Sequence, residues 1–456
     1  MSAPTSAGDL RRMLGFKDLV LLAMGTVIGS GIFLVPGVVL RQTGEHTGPA
    51  MLVWVVAGVL SLLGALTYAE LGAMKPEAGG LYAFIRDAFG PLPAFLYGWT
   101  SFFVIASGSV ATLAVAFAGY VAQIMPVGPA VSRLIAVGVI AFTAAINIRG
   151  TRGSANVQNV TTGLKVGALI VMGLFLIARG QPPHDAAAPV WPSTVTPSLM
   201  TGFGTAMIGV LWAYEGWQYV TFAAGETMNP QRTFPRAIAA ATAALIVTYL
   251  LASYGYIAAL GPAAAARTDH VAADAVSALL GPVAGKLVGA LILVSIFSAT
   301  NGLMLSAPRM YFAMARDGVF FQKLAVVDGR FGTPALAISA TAVWAAVLAL
   351  SGTFEQLLTY VVFTGWIFYG LGGLAVMQLR RTQPHTPRPF RVPGYPLTPL
   401  LFVASATLLV GNTVVAQPSR AAAGIAVVLL GTPAFYLWRA RSRRAPIVSS
   451  PVQMER

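Results

Sequence analysis

The amino-acid sequence predicts an all-α protein that crosses a membrane many times. The chain has 456 residues, of which 56% are hydrophobic and 10% are charged, whereas about a quarter of the residues of a soluble domain are charged. Long runs contain no charged residue: Leu52–Ala69, Ala88–Ser132, Val166–Ala178 and Leu287–Pro308. Because a helix needs about 20 apolar residues to cross a bilayer, these runs favour membrane helices over the buried helices of a large soluble core.

Twelve hydrophobic segments are expected to span the membrane. We place them near residues 17–41, 48–74, 90–124, 130–148, 159–179, 198–225, 234–260, 283–315, 333–351, 355–379, 397–416 and 420–438. They form one transmembrane domain, residues 15–440, between an N-terminal tail (1–14) and a C-terminal tail (441–456).

The basic residues predict how these spans are oriented. If the N-terminus is cytoplasmic, 21 of the 29 Lys and Arg residues fall in inner segments and six in outer loops. An excess of this kind is typical of cytoplasmic loops. We therefore expect both termini to be cytoplasmic. The same placement explains the net charge of +14 better than binding to nucleic acid does.

The residue types exclude several kinds of chemistry. The chain has no cysteine, which excludes disulfides, thiolate metal sites and cysteine nucleophiles. The four histidines are scattered in presumed loops: His46, His184, His270 and His385. We expect no metal and no cofactor, and no nucleophile–base set of an enzyme assembles from the sequence. A channel remains an alternative, because a sequence does not show whether two gates open together.

Two of the spans are expected to be broken. The first contains three glycines and a serine within Gly25–Gly31, and the sixth contains Glu215 beside Gly216 in an apolar run. Glycine destabilises a helix by about 1 kcal/mol relative to alanine. Interrupted helices at matching positions of two halves predict a transporter with inverted repeats. The alternative is that the glycines only allow close packing of helices.

On this topology the two repeats comprise spans 1–5, about residues 15–180, and spans 6–10, about residues 198–380. Helices 11 and 12, about residues 397–438, follow them. The two halves show no convincing residue-level similarity, so the repeat depends on the topology alone.

Four motifs carry a resemblance to a known family. They are Gly25–Phe33 (GTVIGSGIF), Tyr68–Tyr82 (YAELGAMKPEAGGLY), Trp212–Trp217 followed by Glu226–Ile238 (ETMNPQRTFPRAI), and Arg309–Gly318 (RMYFAMARDG). From about Leu14 to Arg439 the chain resembles the amino acid–polyamine–organocation superfamily, and within it the L-type amino acid transporters and related bacterial permeases. The resemblance implies a LeuT-type fold with a five-plus-five inverted repeat, helices 1 and 6 unwound at the midplane, and alternating access.

The unwound segments predict how an amino acid is bound. Free N–H groups at the start of a half-helix suit a carboxylate, and freed carbonyls suit an ammonium group. By this logic, and by similarity to the family, we expect amide donors at Ser30, Gly31 and Ile32 and carbonyl acceptors at Ile28, Ala213 and Glu215.

For two side chains of the sixth span, Trp212 and Glu215, the sequence leaves more than one role possible. Similarity to relatives implies that Trp212 closes over the substrate, although it is otherwise a packing aromatic. A carboxylate within the membrane is costly and usually faces a cavity or a partner. Glu215 is therefore expected to satisfy unwound amides, to exchange protons, or to select the charge of the substrate.

Lys165 lies within the fifth span. In similar permeases a lysine at this place substitutes for the cation that sodium-coupled relatives bind between spans 1, 5 and 8. Its ammonium is then expected to bond a carbonyl near Gly25 and a hydroxyl of span 8, namely Ser298. The alternative is that Lys165 extends to the cytoplasmic headgroups. Near the cytoplasmic ends of other spans, Glu70, Glu226 and Arg316 are candidates for inner-gate ion pairs or for a helix-end role.

The resemblance implies secondary transport of neutral L-amino acids without sodium at the cell membrane, by exchange or by proton symport. A cationic amino acid or polyamine carrier, with Glu215 as the counter-charge, is the alternative. In animal L-type proteins a cysteine in the outer loop after span 3 tethers a partner subunit. Between Gln123 and Ser132 this chain has none, so no disulfide-linked heavy-chain partner is expected.

Overall fold

The computed structural model describes residues 10–180, 189–352 and 354–444, and these residues are helical almost throughout. The first nine residues of the N-terminal tail, residues 445–456 of the C-terminal tail, and His184 lie outside the described residues. Within them the one β-type contact is a bridge between Leu14 and Thr227. The predicted all-α class is thereby confirmed.

Eight helices make up the first half of the chain. They are α1 (Phe16–Val27), α2 (Gly31–Gln42), α3 (Thr47–Met74), α4 (Leu81–Phe89), α5 (Pro91–Thr100), α6 (Ala106–Ile124), α7 (Pro129–Ile148) and α8 (Thr151–Arg179). A π-helical turn, Ser101–Ile105, joins α5 to α6.

Ten helices make up the second half. They are α9 (Pro197–Ala213), α10 (Pro230–Leu260), α11 (Pro262–Arg267), α12 (Val271–Leu280), α13 (Pro282–Ser306), α14 (Pro308–Arg316), α15 (Ala335–Ser351), α16 (Phe354–Thr382), α17 (Leu397–Ala416) and α18 (Pro418–Arg444). A 3₁₀ segment, Trp217–Glu226, lies between α9 and α10.

Among the described residues nine helical segments are long and apolar enough to cross a membrane. The pair α1 and α2, bent by 48°, makes a tenth if it is counted as one span. The expected ninth span coincides with α15, and α9 covers only the first part of the expected sixth span, residues 198–225; both helices have 17 residues. At 1.5 Å per residue each reaches about 25 Å, slightly less than a bilayer core. The count of twelve therefore stays a prediction.

The structure adds helices that hydropathy does not reveal. The short helix α4 follows the second span, and α11 and α12 lie between α10 and α13. Helix α8 begins at Thr151, eight residues before the predicted start of the fifth span. Its added turns carry polar side chains such as Ser154 and Gln158, which are buried against other helices. Hydropathy does not predict these turns as part of the span, because it scores these side chains as polar although they are buried in the protein interior.

The two halves of the first broken span contact different helices. Helix α1 packs against α8, α10 and α13, and helix α2 packs against α9 and α11. Each half of the first span therefore has its own set of neighbours.

Candidate functional site

The first span is interrupted between Val27, where α1 ends, and Gly31, where α2 begins. The backbone leaves the helical conformation at Ile28, with ψ near 90°. The N–H groups of Ser30, Gly31 and Ile32 make no hydrogen bond within the described residues, and the buried Ser30 hydroxyl has no partner there either. These groups are the unpaired donors that the first turn of a helix exposes.

The sixth span is interrupted at Tyr214–Gly216, between α9 and the 3₁₀ segment. Gly216 has φ +134°, a conformation that favours glycine. A Cβ atom at Gly216 would lie 2.8 Å from backbone atoms of Thr26. The Thr26 hydroxyl donates to the Gly216 carbonyl at 3.0 Å. The break in the sixth span therefore packs directly on the break in the first.

A second contact joins the two broken spans on the other side of the breaks. A Cβ atom at Gly31 would lie 3.0 Å from the Cβ of Ala213 and 3.4 Å from the ring of Trp212. Glycine at this position therefore allows the start of α2 to approach the end of α9 closely.

A cavity of about 60 Å³ lies between the two breaks. Five of the predicted binding residues line it: Ser30, Gly31, Trp212, Ala213 and Glu215. Ile28 and Ile32 are not among the lining residues.

Side chains from other helices complete the cavity wall. They are Ser109, Thr112 and Leu113 of α6, Tyr219 of the 3₁₀ segment, Leu303 of α13 and Val361 of α16. Sequence reasoning did not place these residues, because nothing in their own segments distinguishes them from other small or apolar positions of membrane helices.

The carbonyl side of the first break is already engaged by the protein. The Ile28 carbonyl accepts from the Lys165 ammonium at 2.5 Å. The Ser295 hydroxyl lies 3.0 Å from that carbonyl and 2.9 Å from the Gly29 carbonyl. Whether the Ile28 carbonyl also receives the substrate amine stays a prediction. The Ala213 carbonyl accepts from the Tyr249 hydroxyl at 3.0 Å, which leaves it one free lone pair.

The Glu215 carboxylate has one engaged and one open oxygen. Its Oε1 accepts from the Tyr369 hydroxyl at 2.9 Å and from the Gln218 amide at 3.4 Å. Its Oε2 is buried and has no partner within the described residues. The unwound amide of Gly216 donates to Gln218 Oε1 at 3.0 Å. Gln218, rather than Glu215, therefore satisfies that amide.

Lys165 is fully buried, so it does not extend to the headgroups. Its ammonium donates to the carbonyls of Gly25 at 2.8 Å, Ile28 at 2.5 Å and Ser295 at 3.3 Å. The predicted hydroxyl partner Ser298 is wrong, because its oxygen lies 3.1 Å from the hydroxyl of Thr162 instead. The ammonium joins the first, fifth and eighth spans as expected. Its role as a substitute for a cation stays a prediction.

Ion pairs lie on the side of the helices that is predicted to be cytoplasmic. Glu226 is buried and accepts from Arg309 Nε at 2.7 Å and from the Thr151 hydroxyl at 2.8 Å. Glu70 pairs with Arg380 at 2.6 Å. Both acidic residues were candidates for inner-gate ion pairs, and this function remains a prediction.

Comparison with known proteins agrees with this architecture. The family model described as amino acid permease matches residues 14–435. The chain belongs to the amino acid permease family. The permease therefore has the LeuT-type fold of the amino acid–polyamine–organocation superfamily. It is a multi-pass membrane protein of a family that transports amino acids.

Three curated relatives cover nearly the whole permease. It is 31% identical to the serine/threonine exchanger SteT of Bacillus subtilis (strain 168), over 95% of this chain and 98% of that protein. It is 32% identical to the human b(0,+)-type amino acid transporter 1, over 90% and 84% of the two chains. It is 30% identical to the human cystine/glutamate transporter, over 97% and 89%.

Proposed function

We propose that this protein exchanges neutral L-amino acids across the cell membrane by alternating access and without sodium. The observation that carries the proposal is the pair of broken helices around one cavity. Unpaired N–H groups lie at Ser30 and Gly31, and Ala213, which lines the same cavity, has a carbonyl with a free lone pair. A zwitterion presents the complementary charges.

The carboxylate of the substrate is expected to bind at the start of α2. The N–H groups of Ser30, Gly31 and Ile32 lie at the positive end of the helix dipole, and the Ser30 hydroxyl adds a fourth donor. Hydrogen bonds to a charged group contribute about 1.5–3 kcal/mol each. Several of them give binding that is specific and still reversible.

The ammonium group of the substrate is expected to bind at the end of α9. The carbonyls of Ala213 and Glu215 lie beside the break, where the helical acceptor pattern ends. Trp212 lines the same cavity and packs near Gly31. We propose that its ring closes over the bound substrate.

Sodium independence is supported by Lys165. Its ammonium donates to three carbonyls of α1, the first break and α13. A metal cation at this place would need the same oxygens, so a fixed ammonium makes the cation unnecessary. Sodium-stimulated transport would contradict this part of the proposal.

Small polar amino acids are the first substrates to test. Ser109 and Thr112 place hydroxyl-bearing residues in the wall of the cavity, and a relative that matches 95% of this chain is a serine/threonine exchanger. The same relative supports exchange over proton symport. Proton coupling is the alternative, and uptake measured at two pH values distinguishes the two mechanisms.

A carrier of cationic amino acids or polyamines is the second candidate. The specific observation in its favour is the open Oε2 atom of Glu215 at the cavity. Inhibition of labelled alanine uptake by lysine or putrescine, without inhibition by serine or leucine, would favour this candidate.

The test is counterflow with purified protein in liposomes. Vesicles are loaded with one amino acid at a time, and uptake of labelled serine is measured at two pH values with and without sodium. We expect internal serine, threonine and other neutral amino acids to drive uptake of labelled serine equally well with and without sodium. Uptake that depends on a proton gradient and proceeds without internal amino acid would show proton symport instead of exchange. Absence of counterflow for the whole panel would refute the proposal.

The remaining features of the proposal follow from the sequence. We propose twelve spans with both termini in the cytoplasm and no enzymatic activity. Because the chain has no cysteine, we further propose that it works without a disulfide-linked partner subunit.

A further inference from the structure

Gln158 of α8 is a buried polar residue that does not line the cavity. Its side-chain amide lies in a slot between Gly25 of α1 and Gly302 of α13. A Cβ atom at Gly25 would lie 1.9 Å from Gln158 Nε2, and one at Gly302 would lie 3.0 Å from the same atom. The absence of side chains at these two positions therefore makes the space that the amide occupies.

The hydrogen bonds of Gln158 connect it to two of the three helices around the slot. Its Oε1 accepts from Asn301 of α13 at 2.9 Å. Its Nε2 donates to Thr162, one turn further along α8, at 3.3 Å. Neither partner belongs to α1. The amide is therefore fixed to α8 and α13 and touches α1 through packing at Gly25.

Helix α1 is also held against α8 at its two ends. At the break, Lys165 bonds the carbonyl of Gly25. At the opposite end Asp18 accepts from Arg152 at 2.9 Å and from Asn159 at 2.6 Å. Gln158 fills the space between these two attachments.

The break gives α1 a hinge. Helix α1 has 12 residues and ends at Val27, the next residue Ile28 is no longer helical, and α1 is bent by 48° from α2. A helix that is joined to its continuation through such a segment can move as a rigid body against its neighbours. Separation of α1 from α8 and α13 would empty the slot on the Gly25 side and leave both hydrogen bonds of Gln158 intact.

We propose that Gln158 is a positioning residue that packs α1 against α8 and α13 and sets the rate at which this contact opens during transport. The proposal rests on the alternating access proposed above. Removing the side chain destabilises the closed arrangement, in which it packs against α1, more than the opened arrangement. Opening therefore becomes faster. The groups that line the cavity are unchanged, so substrate affinity stays the same.

The absence of cysteine from the chain allows this contact to be monitored directly. The Thr162 hydroxyl would lie 2.3 Å from a Cβ at Gly25, so T162C places a thiol that faces α1. Because T162C also replaces the acceptor of the Gln158 Nε2 hydrogen bond, T162C alone is the reference for every labelling rate. Its rate of reaction with N-ethylmaleimide in liposomes reports how often α1 separates from α8. The matched control is V160A, because Val160 lies on the same helix with 71% of its surface exposed.

We expect Q158A in the T162C background to raise the labelling rate at least threefold. In the cysteine-free protein, Q158A should raise the maximal serine counterflow rate by a similar factor and leave the serine Kd within twofold. Q158M, which fills most of the slot again, should return both rates towards wild type, and V160A should change neither. Q158N withdraws the amide by one methylene, and it provides the same test if Q158A is not recovered folded.

Two results would overturn the inference. Labelling and counterflow rates that do not respond to Q158A would show that the contact does not limit opening. A raised Kd with a proportional loss of counterflow would show that Gln158 only supports the folded site. Failure of the wild-type protein to catalyse any counterflow would refute the proposed function instead, so the two failures are distinguishable.

Discussion

Replacement of Gly216 by alanine tests whether the contact between the two breaks forms the binding site. Gly216 has φ +134°, and a non-glycine residue in a sparsely populated conformation costs about 1–3 kcal/mol. The added Cβ would lie 2.8 Å from the carbonyl carbon and oxygen of Thr26. These are backbone atoms that cannot rotate away, and overpacking of this kind costs about 1–3 kcal/mol.

Together the two effects of G216A destabilise the arrangement in which the breaks touch by about 2–6 kcal/mol. Since each 1.4 kcal/mol changes an equilibrium constant about tenfold, we expect the Kd for substrate to rise at least about thirtyfold. The assay is equilibrium binding of labelled serine to purified protein, followed by counterflow in liposomes.

The matched control for this experiment is G204A. Gly204 lies in α9, in the same span, and an added Cβ would meet no atom within 4 Å. Alanine is also the better helix former by about 1 kcal/mol, so binding should be unchanged. The reasoning is refuted if G216A binds serine within threefold of wild type, or if G204A weakens binding as much as G216A does.

Four further outcomes are expected. K165M leaves the Gly25 carbonyl without its ammonium donor, and an unsatisfied buried group costs about 1–3 kcal/mol. Counterflow should therefore fall at least about fivefold at equal protein in the vesicles. E215Q removes the charge at the cavity, so lysine should lose any ability to inhibit serine uptake, while serine uptake itself stays within threefold. R309M leaves the buried Glu226 carboxylate unpaired, which costs about 3–5 kcal/mol. Its Tm in detergent should fall, and the double variant R309M/E226Q should recover part of the loss. Ethanolamine, which lacks a carboxylate, should inhibit serine binding less than lactate, which lacks the ammonium.

The sequence predicts the breaks because their signal is local. Three glycines and a serine within seven residues, and a glutamate beside a glycine, mark both positions without any knowledge of the packing. The link from Lys165 to Gly25 was predicted from the resemblance to permeases that carry a lysine at this place, and it fits the need of a buried ammonium for the acceptors that a break supplies.

The choice between Ser295 and Ser298 was not predictable in the same way. The two serines are three residues apart on α13, or about 4.5 Å along the axis. The depth of one helix against another is set by side-chain packing, which a hydrophobic pattern does not resolve to within one turn. For the same reason Gln158 was not predicted, because the slot that holds its side chain is formed by glycines of two helices distant in the sequence.

The engagement of the Ile28 carbonyl has a wider consequence for how the site selects its ligand. Acceptors at the two breaks are supplied with donors from the protein: Ser295 serves Gly29, Tyr249 serves Ala213, and Thr26 serves Gly216. The N–H groups at the start of α2 receive no such partner within the described residues. Because an unsatisfied buried donor is costly, these N–H groups favour a ligand that supplies acceptors. A carboxylate satisfies these donors and an ammonium does not, so we expect the acid end of the substrate to dominate recognition and the amine end to set its orientation.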